Sequence, residues 1–203
     1  MIKISIIVTN HNYGHFLGRC LRSLLSQTIE KRYYEIIVVD DASTDSSHKI
    51  YESFKNEIKT IKITENVGLA LAANIGIRSA IGRYFVRVDA DDYVHPNFLE
   101  VLLVGFDLFG NEYEAISCDY SRVKQNGELI EFCSQLNSPI ACGIAFKIDA
   151  FEFLGQYDET LKINEDSEFM RRFNIANFKC FHVNLPLYRY VQHGSSLTNS
   201  IPV

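Results

Sequence analysis

The segment YFVRVDADDYVHPNFLE, residues 84–100, joins an apolar run to a turn that carries three aspartates. The apolar run predicts a buried strand, and Pro96 stands where the first turn of a helix would begin. Asp89, Asp91 and Asp92 place three negative charges within four positions, and close like charges repel one another. Such a cluster is either a solvated, strand-ending turn or a site for something positive.

The rest of the first half alternates strands and helices around this segment. Apolar, β-branched runs at 2–8, 34–41 and 60–65 predict three further strands. Apolar residues between Phe16 and Leu25 recur at three- and four-residue spacing, as they do on one face of a helix. This alternation is typical of a mostly parallel, doubly wound sheet, so the predicted fold class is α/β.

Two of the predicted strands end in acidic residues. Asp40 and Asp41 end the strand at 34–41, and the aspartates from Asp89 onward end the strand that begins at Tyr84. Ligands of open α/β sheets bind outside the carboxyl ends of the strands. We therefore expect the two acidic strand ends to face one crevice.

The second half is less regular. Its patterns predict strands at 115–123 and 126–132 joined by an Asn-Gly turn, a strand and short helix within 138–155, a helix from 164, and a closing strand and polar tail within 181–196.

Composition narrows the classes of function. The chain has 203 residues, 47% of them hydrophobic, and a formal net charge of −5, which argues against electrostatic binding to nucleic acid. The apolar run at the N-terminus is too short to span a membrane. The five scattered cysteines lack a CxxC pair and suit reduced thiols in a cytoplasmic protein.

A divalent cation would offset the repulsion between the clustered aspartates. Carboxylate oxygens are hard ligands that suit Mg²⁺ or Mn²⁺, and a site with few protein ligands takes the rest from water or phosphate. This chemistry points to a nucleotide diphosphate. Neither GxGxxG nor GxxxxGK[ST] occurs, so the fingerprints of dinucleotide and P-loop sites are absent from the sequence.

Six segments resemble, in order, the motifs of family 2 inverting glycosyltransferases of the GT-A fold. They are SIIVTNHNYGHFLGRCLRSLLSQT (5–28); EIIVVDDASTDSS (35–47), similar to VVDDGSTD; NVGLALAANIGI (66–77), similar to NxGxxxARNxG; RVDADDYVHPNFLE (87–100), similar to the DxD segment; NEDSEFMRRF (164–173), similar to the ED motif; and YVQHGSSLT (190–198), similar to YRxHxxSxS. A single motif would be weak evidence, whereas six in order are specific at family level.

The resemblance implies a single GT-A catalytic domain, residues 1–203, with a Rossmann-like, mostly parallel central sheet and flanking helices. Residues 1–105 would form the nucleotide-binding half, and residues 106–203 an acceptor-binding half with a small irregular β region. The implied reaction is transfer of a hexosyl or N-acetylhexosaminyl group, with inversion, from a nucleotide-sugar to a hydroxyl of a glycan or lipid-linked acceptor. UDP is the favoured nucleotide and Mn²⁺ or Mg²⁺ the cofactor. The expected location is the cytoplasm, with peripheral contact at the inner face of the membrane left open.

The resemblance also implies roles on the donor side. Asp41 would hydrogen-bond the uracil, and Asp40 would either share that role or cap the following helix. Asp89 would contact the ribose or a metal-bound water. The other implied donor-binding residues are Thr9, His11, Asn12, Asn74 and Gly143, and Cys142 beside Gly143 is interpreted as a small buried residue.

The metal and catalytic roles fall on other acids. Asp91 would bind the metal directly, while Asp92 would cap the turn before Pro96. His193 is either a metal or diphosphate ligand or a bystander. Asp166 would be the catalytic base, with Glu165 supporting it or touching the acceptor. As an alternative, these last two acids would only complement a helix dipole.

The hydroxyls of Ser196 and Thr198 could order a tail over the diphosphate.

Two departures from the motifs weaken the resemblance. Ala73 replaces the arginine of NxGxxxARNxG, and Val191 replaces the arginine of YRxH. Loss of two cations implies weaker or altered donor binding, compensation by Arg78, Arg83 or Arg87, or a non-catalytic relative or partner subunit that binds the nucleotide-sugar. A sugar nucleotidyltransferase ranks low, because the segment VTNHNYGHF is neither glycine-rich nor basic. The chain is either a minimal enzyme or a catalytic segment of something longer.

Overall fold

A computed structural model describes residues 1–194, and all elements named below lie in that range. The strands are β1 (Ile4–Asn10), β2 (Tyr34–Asp41), β3 (Lys59–Ile63), β4 (Tyr84–Arg87), β5 (Tyr93–Val94), β6 (Ala115–Lys124), β7 (Leu129–Cys133), β8 (Ile144–Lys147) and β9 (Cys180–Gln192). The α-helices are α1 (Gly14–Leu25), α2 (Ser47–Ser53), α3 (Leu69–Arg78), α4 (Phe98–Phe109), α5 (Ile148–Leu154) and α6 (Glu165–Ile175).

One sheet runs through both halves of the described chain, in the order β3-β2-β1-β4-β8-β6-β9-β5, with β7 paired to β6. The strands β1 to β4 are parallel, as the alternation of strands and helices predicts. In the second half, β8 runs antiparallel to β4 and β6, whereas β6 and β9 are parallel. The sheet is therefore parallel in the first half of the chain and mixed beyond it.

The short strand β5 is absent from the sequence-based predictions. It lies between the acidic turn and α4, and it pairs with the C-terminal strand through Tyr93 with Arg189 and Val94 with Tyr188. The N–H of His95 adds a hydrogen bond to the carbonyl of Leu187 at 2.8 Å. These contacts attach the acidic turn to a strand that comes almost a hundred residues later.

Side chains on opposite faces of the sheet enter two different cores. On β4, Val86 packs into the core that contains α1 and α4, whereas Phe85 packs into the core that contains α3 and α6. Because side chains alternate along a strand, Arg87 lies on the same face as Phe85.

Helix α3 approaches the sheet closely on that face. A β-carbon on Gly76 would lie 2.5 Å from Cγ2 of the buried Ile7. Helix α6 packs on the same face, where Phe169 and Phe173 contact Phe146 of β8 edge-on. This packing brings the start of α6 to the edge of the sheet where β4 ends.

Within the described residues, no helix is long and apolar enough to cross a membrane.

Candidate active site

The acidic ends of β2 and β4 lie at the same edge of the sheet, as predicted, and the crevice between them stays a prediction. Strands β2 and β4 lie on either side of β1 and run parallel to it. Asp40 and Asp41 therefore end one neighbour of β1, and Asp89 follows the other. Thr9, on β1 between them, is buried. The sheet topology thus gathers this set of predicted donor-binding residues at one edge.

The loop after β1 holds the loop after β2. Oδ1 of Asn12 accepts the N–H groups of Thr44 and Asp45 at 2.8 and 3.2 Å, and the backbone N–H of Asn12 donates to Oγ of Ser43 at 2.9 Å. Nδ1 of His11 lies 2.5 Å from the carbonyl oxygen of Asp41. Both side chains tie the loop after β1 to the loop after β2, and their contact with a nucleotide base stays a prediction.

Asp41 anchors the loop that leads into α3. Its Oδ1 accepts the N–H of Val67 at 2.7 Å and its Oδ2 accepts the N–H of Gly68 at 3.0 Å. Gly68 has a φ of 87°, which a residue with a β-carbon adopts only with strain. Asp40 accepts the N–H of Ser43 at 3.3 Å. Since each carboxylate oxygen can accept more than one hydrogen bond, the predicted uracil contact stays open to either aspartate.

The side chain of Asn74 makes its hydrogen bonds to residues outside the acidic cluster. Its Nδ2 donates to the carbonyl of Tyr157 at 2.9 Å, and its Oδ1 accepts the N–H of the same residue at 3.1 Å. The amide also contacts Glu159 at 3.1 Å. Asn74 therefore holds the loop before α6 against α3, and a contact with the donor from this residue stays a prediction. Ala73 beside it is fully buried.

Gly143 is also held by the core. Its φ is 78°, and its carbonyl accepts the N–H of Cys118 at 3.2 Å. Burial raises the pKa of the neighbouring Cys142 thiol well above its usual value, as does the negative charge of Asp89. Cys142 is a small buried residue, as the sequence interpretation has it. The predicted contact of Gly143 with the donor sugar stays a prediction.

The three aspartates of the opening segment form a compact cluster. One carboxylate oxygen from each of Asp89, Asp91 and Asp92 lies within 4.8 Å of the others. Asp92 is the most deeply buried, and its carboxylate accepts the hydroxyl of Tyr188 at 2.6 Å and the N–H of Val191 at 2.8 Å. Burial raises its pKa well above the usual value, and the two neighbouring aspartates raise it further.

These contacts correct the prediction for Asp92. Both of its partners lie on β9, whereas the sequence suggested a cap for the turn before Pro96. The role is structural in either case, but the element that Asp92 holds is the C-terminal strand. Tyr188 is a site residue that sequence reasoning missed, and it also accepts the backbone N–H of Asp89 at 3.2 Å.

The side chains of Asp91 and His193 are in hydrogen-bonding contact. Nε2 of His193 lies 2.8 Å from Oδ2 of Asp91, and the imidazole packs at ring-centroid distances of 4.5 Å from Phe16 and 5.7 Å from Tyr13. Burial raises the pKa of Asp91, and the charge of Asp89 adds to this effect. The structure therefore places the predicted metal ligands Asp91 and His193 in direct contact. Ser196 and Thr198 lie outside the described residues.

The residues of this cluster fit a divalent cation. The three carboxylates lie close together with an imidazole against Asp91, and carboxylate oxygens with an imidazole nitrogen are ligands that Mn²⁺ accepts. Moreover, Oδ1 of Asp89 is buried without a hydrogen-bond partner among the described residues. This oxygen faces Nε of the buried Arg87 at 3.4 Å, so the fit to a divalent cation rests on the clustered carboxylates and the imidazole.

Arg87 is a second residue of the site, and the sequence proposed it only as one of three arginines that could compensate for Ala73 and Val191. Its side chain is only 3% exposed, and it lies between two acids: Nε is 3.4 Å from Oδ1 of Asp89, and Nη1 is 2.9 Å from Oε1 of Glu165. Burial alone would lower its pKa, but Asp89 and other nearby groups raise it well above the usual value. The sequence feature that could have identified this residue is an arginine within an otherwise apolar strand.

The predicted catalytic base lies one residue beyond this contact. Glu165 and Asp166 both lie in the first turn of α6, which begins after Asn164 in the left-handed region at a φ of 63°. The carboxylate of Glu165 is buried against Arg87, whereas Asp166 is half-buried. Both acids therefore lie where they interact favourably with the helix dipole, as the alternative interpretation has it. Because Asp166 is only half-buried, this position leaves room for a further role.

The arrangement of the sheet and helices is that of the GT-A class of glycosyltransferase folds. Residues 5–177 match the family described as Glycosyl transferase family 2. The chain belongs to this family, which confirms the resemblance drawn from its six motifs.

Relatives of known name are glycosyltransferases. Glycosyltransferase GlyA of Streptococcus pneumoniae is 29% identical over 220 residues, which cover 95% of this chain and 31% of GlyA. The poly(ribitol-phosphate) beta-N-acetylglucosaminyltransferase TarS of Staphylococcus aureus is 33% identical over 104 residues, which cover 49% of this chain and 18% of TarS. The chain thus spans a third or less of the length of these two relatives.

Solved structures agree on the fold. A complex of S. aureus TarS with UDP-GlcNAc has a TM-score of 0.84 at 23% identity, covering 100% of this chain and 62% of that one. The mannosyltransferase PcManGT of Pyrobaculum calidifontis, in complex with GDP-Man and Mn²⁺, has a TM-score of 0.76 at 19% identity, covering 96% of this chain and 58% of that one.

Proposed function

We propose that this chain catalyses metal-dependent, inverting transfer of a sugar from a UDP-sugar to a hydroxyl of a glycan or lipid-linked acceptor. The observation that carries the proposal is the cluster of Asp89, Asp91 and Asp92, with His193 against Asp91, at the sheet edge that also carries Asp41. Membership of the family and the UDP-GlcNAc complex of TarS support the choice of donor.

The nucleotide-binding half, residues 1–105, would hold the donor. Asp41 and Asp40 would receive the base and Asp89 the ribose, beside Asp91 and His193 as ligands of Mn²⁺ or Mg²⁺. Such an ion supplies positive charge that stabilises the departing diphosphate. The Mn²⁺ in the PcManGT complex supports the choice of cofactor.

The acceptor-binding half, residues 106–203, would supply the base. Asp166 would accept the proton of the acceptor hydroxyl as its oxygen attacks the anomeric carbon, because inverting transfer needs one group in this role. Its half-buried position at the start of α6, next to the buried Glu165, supports this assignment. Glu165 would act through the position of the helix.

Calorimetry tests the metal assignment. In titrations of UDP with and without Mn²⁺, Asp91→Ala should abolish the Mn²⁺-dependent part of binding, while the exposed variant Glu131→Gln should bind as wild type does. Unchanged Mn²⁺-dependent binding by Asp91→Ala would remove Asp91 as a ligand. A preference for GDP over UDP in the same titrations would overturn the donor assignment.

Turnover tests the base. Asp166→Asn should retain UDP affinity yet lose transfer or hydrolysis of UDP-glucose and UDP-N-acetylglucosamine, because only proton removal is affected. A variant that works near the wild-type rate would exclude Asp166 as the base.

A non-catalytic nucleotide-sugar-binding subunit is the second candidate. Ala73 and Val191 stand where the family motifs have arginines, and both side chains are buried in apolar surroundings. A protein of this kind would bind UDP with Mn²⁺ but neither hydrolyse nor transfer any UDP-sugar offered. Turnover of a single donor would exclude it.

A location in the cytoplasm is supported by the cysteines. All five are free in the structure, as expected of a reducing compartment. Fractionation of cells that express the chain would test both this location and peripheral contact with the membrane.

A further inference from the structure

The guanidinium of Arg87 contacts two parts of the site that lie far apart from each other in the chain. Asp89 follows β4 in the nucleotide-binding half, and Glu165 opens α6, the helix that carries the proposed base. Nη1 of Arg87 reaches Glu165 at 2.9 Å, while its Nε faces Asp89 at 3.4 Å. Seventy-eight residues separate Arg87 from Glu165 in the chain.

The guanidinium is held rigidly between these acids. The side chain is 3% exposed, and its carbon Cζ lies 5.7 Å from the ring centroid of Tyr157. Tyr157 is itself fixed by two backbone hydrogen bonds to the amide of Asn74 on α3. A buried arginine with so little freedom loses little conformational entropy when a ligand orders the site around it.

The contact between Arg87 and Asp89 is an ion pair without a hydrogen bond. Neither Nε of Arg87 nor Oδ1 of Asp89 has a hydrogen-bond partner among the described residues, although the two atoms face each other at 3.4 Å. Buried donors and acceptors are normally paired, so a small shift of Asp89 would complete the bond. The Asp89 carboxylate therefore faces Arg87 and is also a member of the acidic cluster.

The position of Arg87 also bears on the missing arginine of α3. Ala73 is buried in the core on the α3 face of the sheet, which is the face on which Arg87 lies by strand alternation. The described structure thus supplies a guanidinium beside Asp89 from β4. No cation at residue 73 is needed for this contact.

We infer that Arg87 is a positioning residue that sets Asp89 for the metal and donor and, through Glu165, sets the start of α6 for catalysis. This inference rests on the proposed function. It implies that loss of the guanidinium weakens both Mn²⁺-dependent UDP binding and turnover, whereas loss of the Glu165 contact affects turnover alone.

The test compares Arg87→Met, Arg87→Lys and Glu165→Gln with wild type. Thermal unfolding establishes that each variant is folded, calorimetry measures UDP binding with Mn²⁺, and hydrolysis of UDP-N-acetylglucosamine gives kcat and KM. We expect Arg87→Met to weaken UDP binding about tenfold or more and to lower kcat, since hydrogen bonds to charged groups are lost. Arg87→Lys should recover part of the binding, because it keeps the charge but not the fork of donors.

Glu165→Gln separates the two effects. We expect it to bind UDP with Mn²⁺ within about threefold of wild type while kcat falls about tenfold or more, because only the charged contact with α6 is weakened. The matched control is Arg122→Met, which removes the exposed pair with Glu131 on β6 and β7, and it should leave both quantities unchanged.

Folded Arg87→Met with wild-type affinity and kcat would overturn the inference. If Arg87→Met does not fold, an unchanged kcat in Glu165→Gln overturns it. A wild-type protein without Mn²⁺-dependent UDP binding would overturn the proposed function and this inference with it, so the two failures are distinguishable.

Discussion

Replacement of Tyr188 by phenylalanine removes a single oxygen atom from the centre of the site. This hydroxyl donates to Oδ2 of Asp92 at 2.6 Å and accepts the backbone N–H of Asp89 at 3.2 Å. Tyr188 is fully buried, so water cannot replace the lost partner without rearrangement. The substitution leaves the β9 backbone and the packing of the ring in place.

The expected cost follows from these two contacts. A hydrogen bond to a charged group contributes about 1.5–3 kcal/mol and a neutral one about 1 kcal/mol, so Tyr188→Phe should lower the free energy of unfolding by about 2–4 kcal/mol. For a domain of this size, 1 kcal/mol corresponds to a Tm shift of roughly 2–4 °C. We therefore expect Tm to fall by at least about 4 °C.

The loss should also depend on pH. Burial raises the pKa of Asp92, and the Tyr188 hydroxyl acts against this by stabilising the carboxylate. The phenylalanine variant should therefore have a still higher pKa at Asp92 in the folded state. Its native state binds more protons than wild type as pH falls, so the difference in stability should be larger at pH 8 than at pH 5.5.

Thermal and urea unfolding at these two pH values measure the effect. The control is Tyr120→Phe, because Tyr120 pairs directly with Tyr188 across β6 and β9 but donates to the neutral carbonyl of Ser138 at 2.9 Å. It should lose about 1 kcal/mol with no dependence on pH. A Tyr188→Phe loss no greater than that of the control, or equal at both pH values, would refute the reasoning.

Three further predictions concern the cation, the packing of α3 and the loop after β2. Burial raises the pKa of Asp91, so protons should compete with Mn²⁺ and its affinity, measured by calorimetry with UDP, should fall from pH 8 to pH 6; equal affinities would contradict this. Gly76→Ala should cost about 1–3 kcal/mol in urea unfolding, because its β-carbon would lie 2.5 Å from Cγ2 of Ile7, and an unchanged midpoint would show that the helix can shift freely. Asn12→Ala should accelerate hydrogen exchange at the amide of Thr44, because the N–H of Thr44 donates to Oδ1 of Asn12 at 2.8 Å. Wild-type protection at this amide would show that Asn12 does not hold the loop after β2.

Periodicity was sufficient for the architecture of the first half. The β-branched runs and amphipathic helix of this half correspond to elements in the structure, because a buried parallel strand and a half-buried helix each impose a local pattern. The direction of the strands in the second half and the two-residue strand β5 were beyond this reasoning. Pairing across a sheet depends on distant segments, and two residues are too few to show a period.

Some features of the site could likewise be predicted from sequence, and others could not. Acidic residues at the ends of β2 and β4 could be assigned to one edge of the sheet from sequence, because parallel topology brings neighbouring strand ends together. The sequence could not show that Asp41 holds the start of α3, or that Asn74 holds the loop before α6. Each of these side chains bonds to backbone far along the chain, and no local pattern records such a partner.

The alternating strands, the acidic strand ends and the order of the motifs are local properties of the chain, and they determine the α/β class and the family. Only the tertiary structure shows which groups the aspartates contact: Asp92 binds β9 from 96 and 99 residues away, and Asp91 contacts His193 at a separation of 102 residues. Arg87 likewise meets Glu165 only after the sheet has formed. The physical reason is that the energy of a buried carboxylate depends on the charges and donors packed around it, and those come from segments that folding alone brings together.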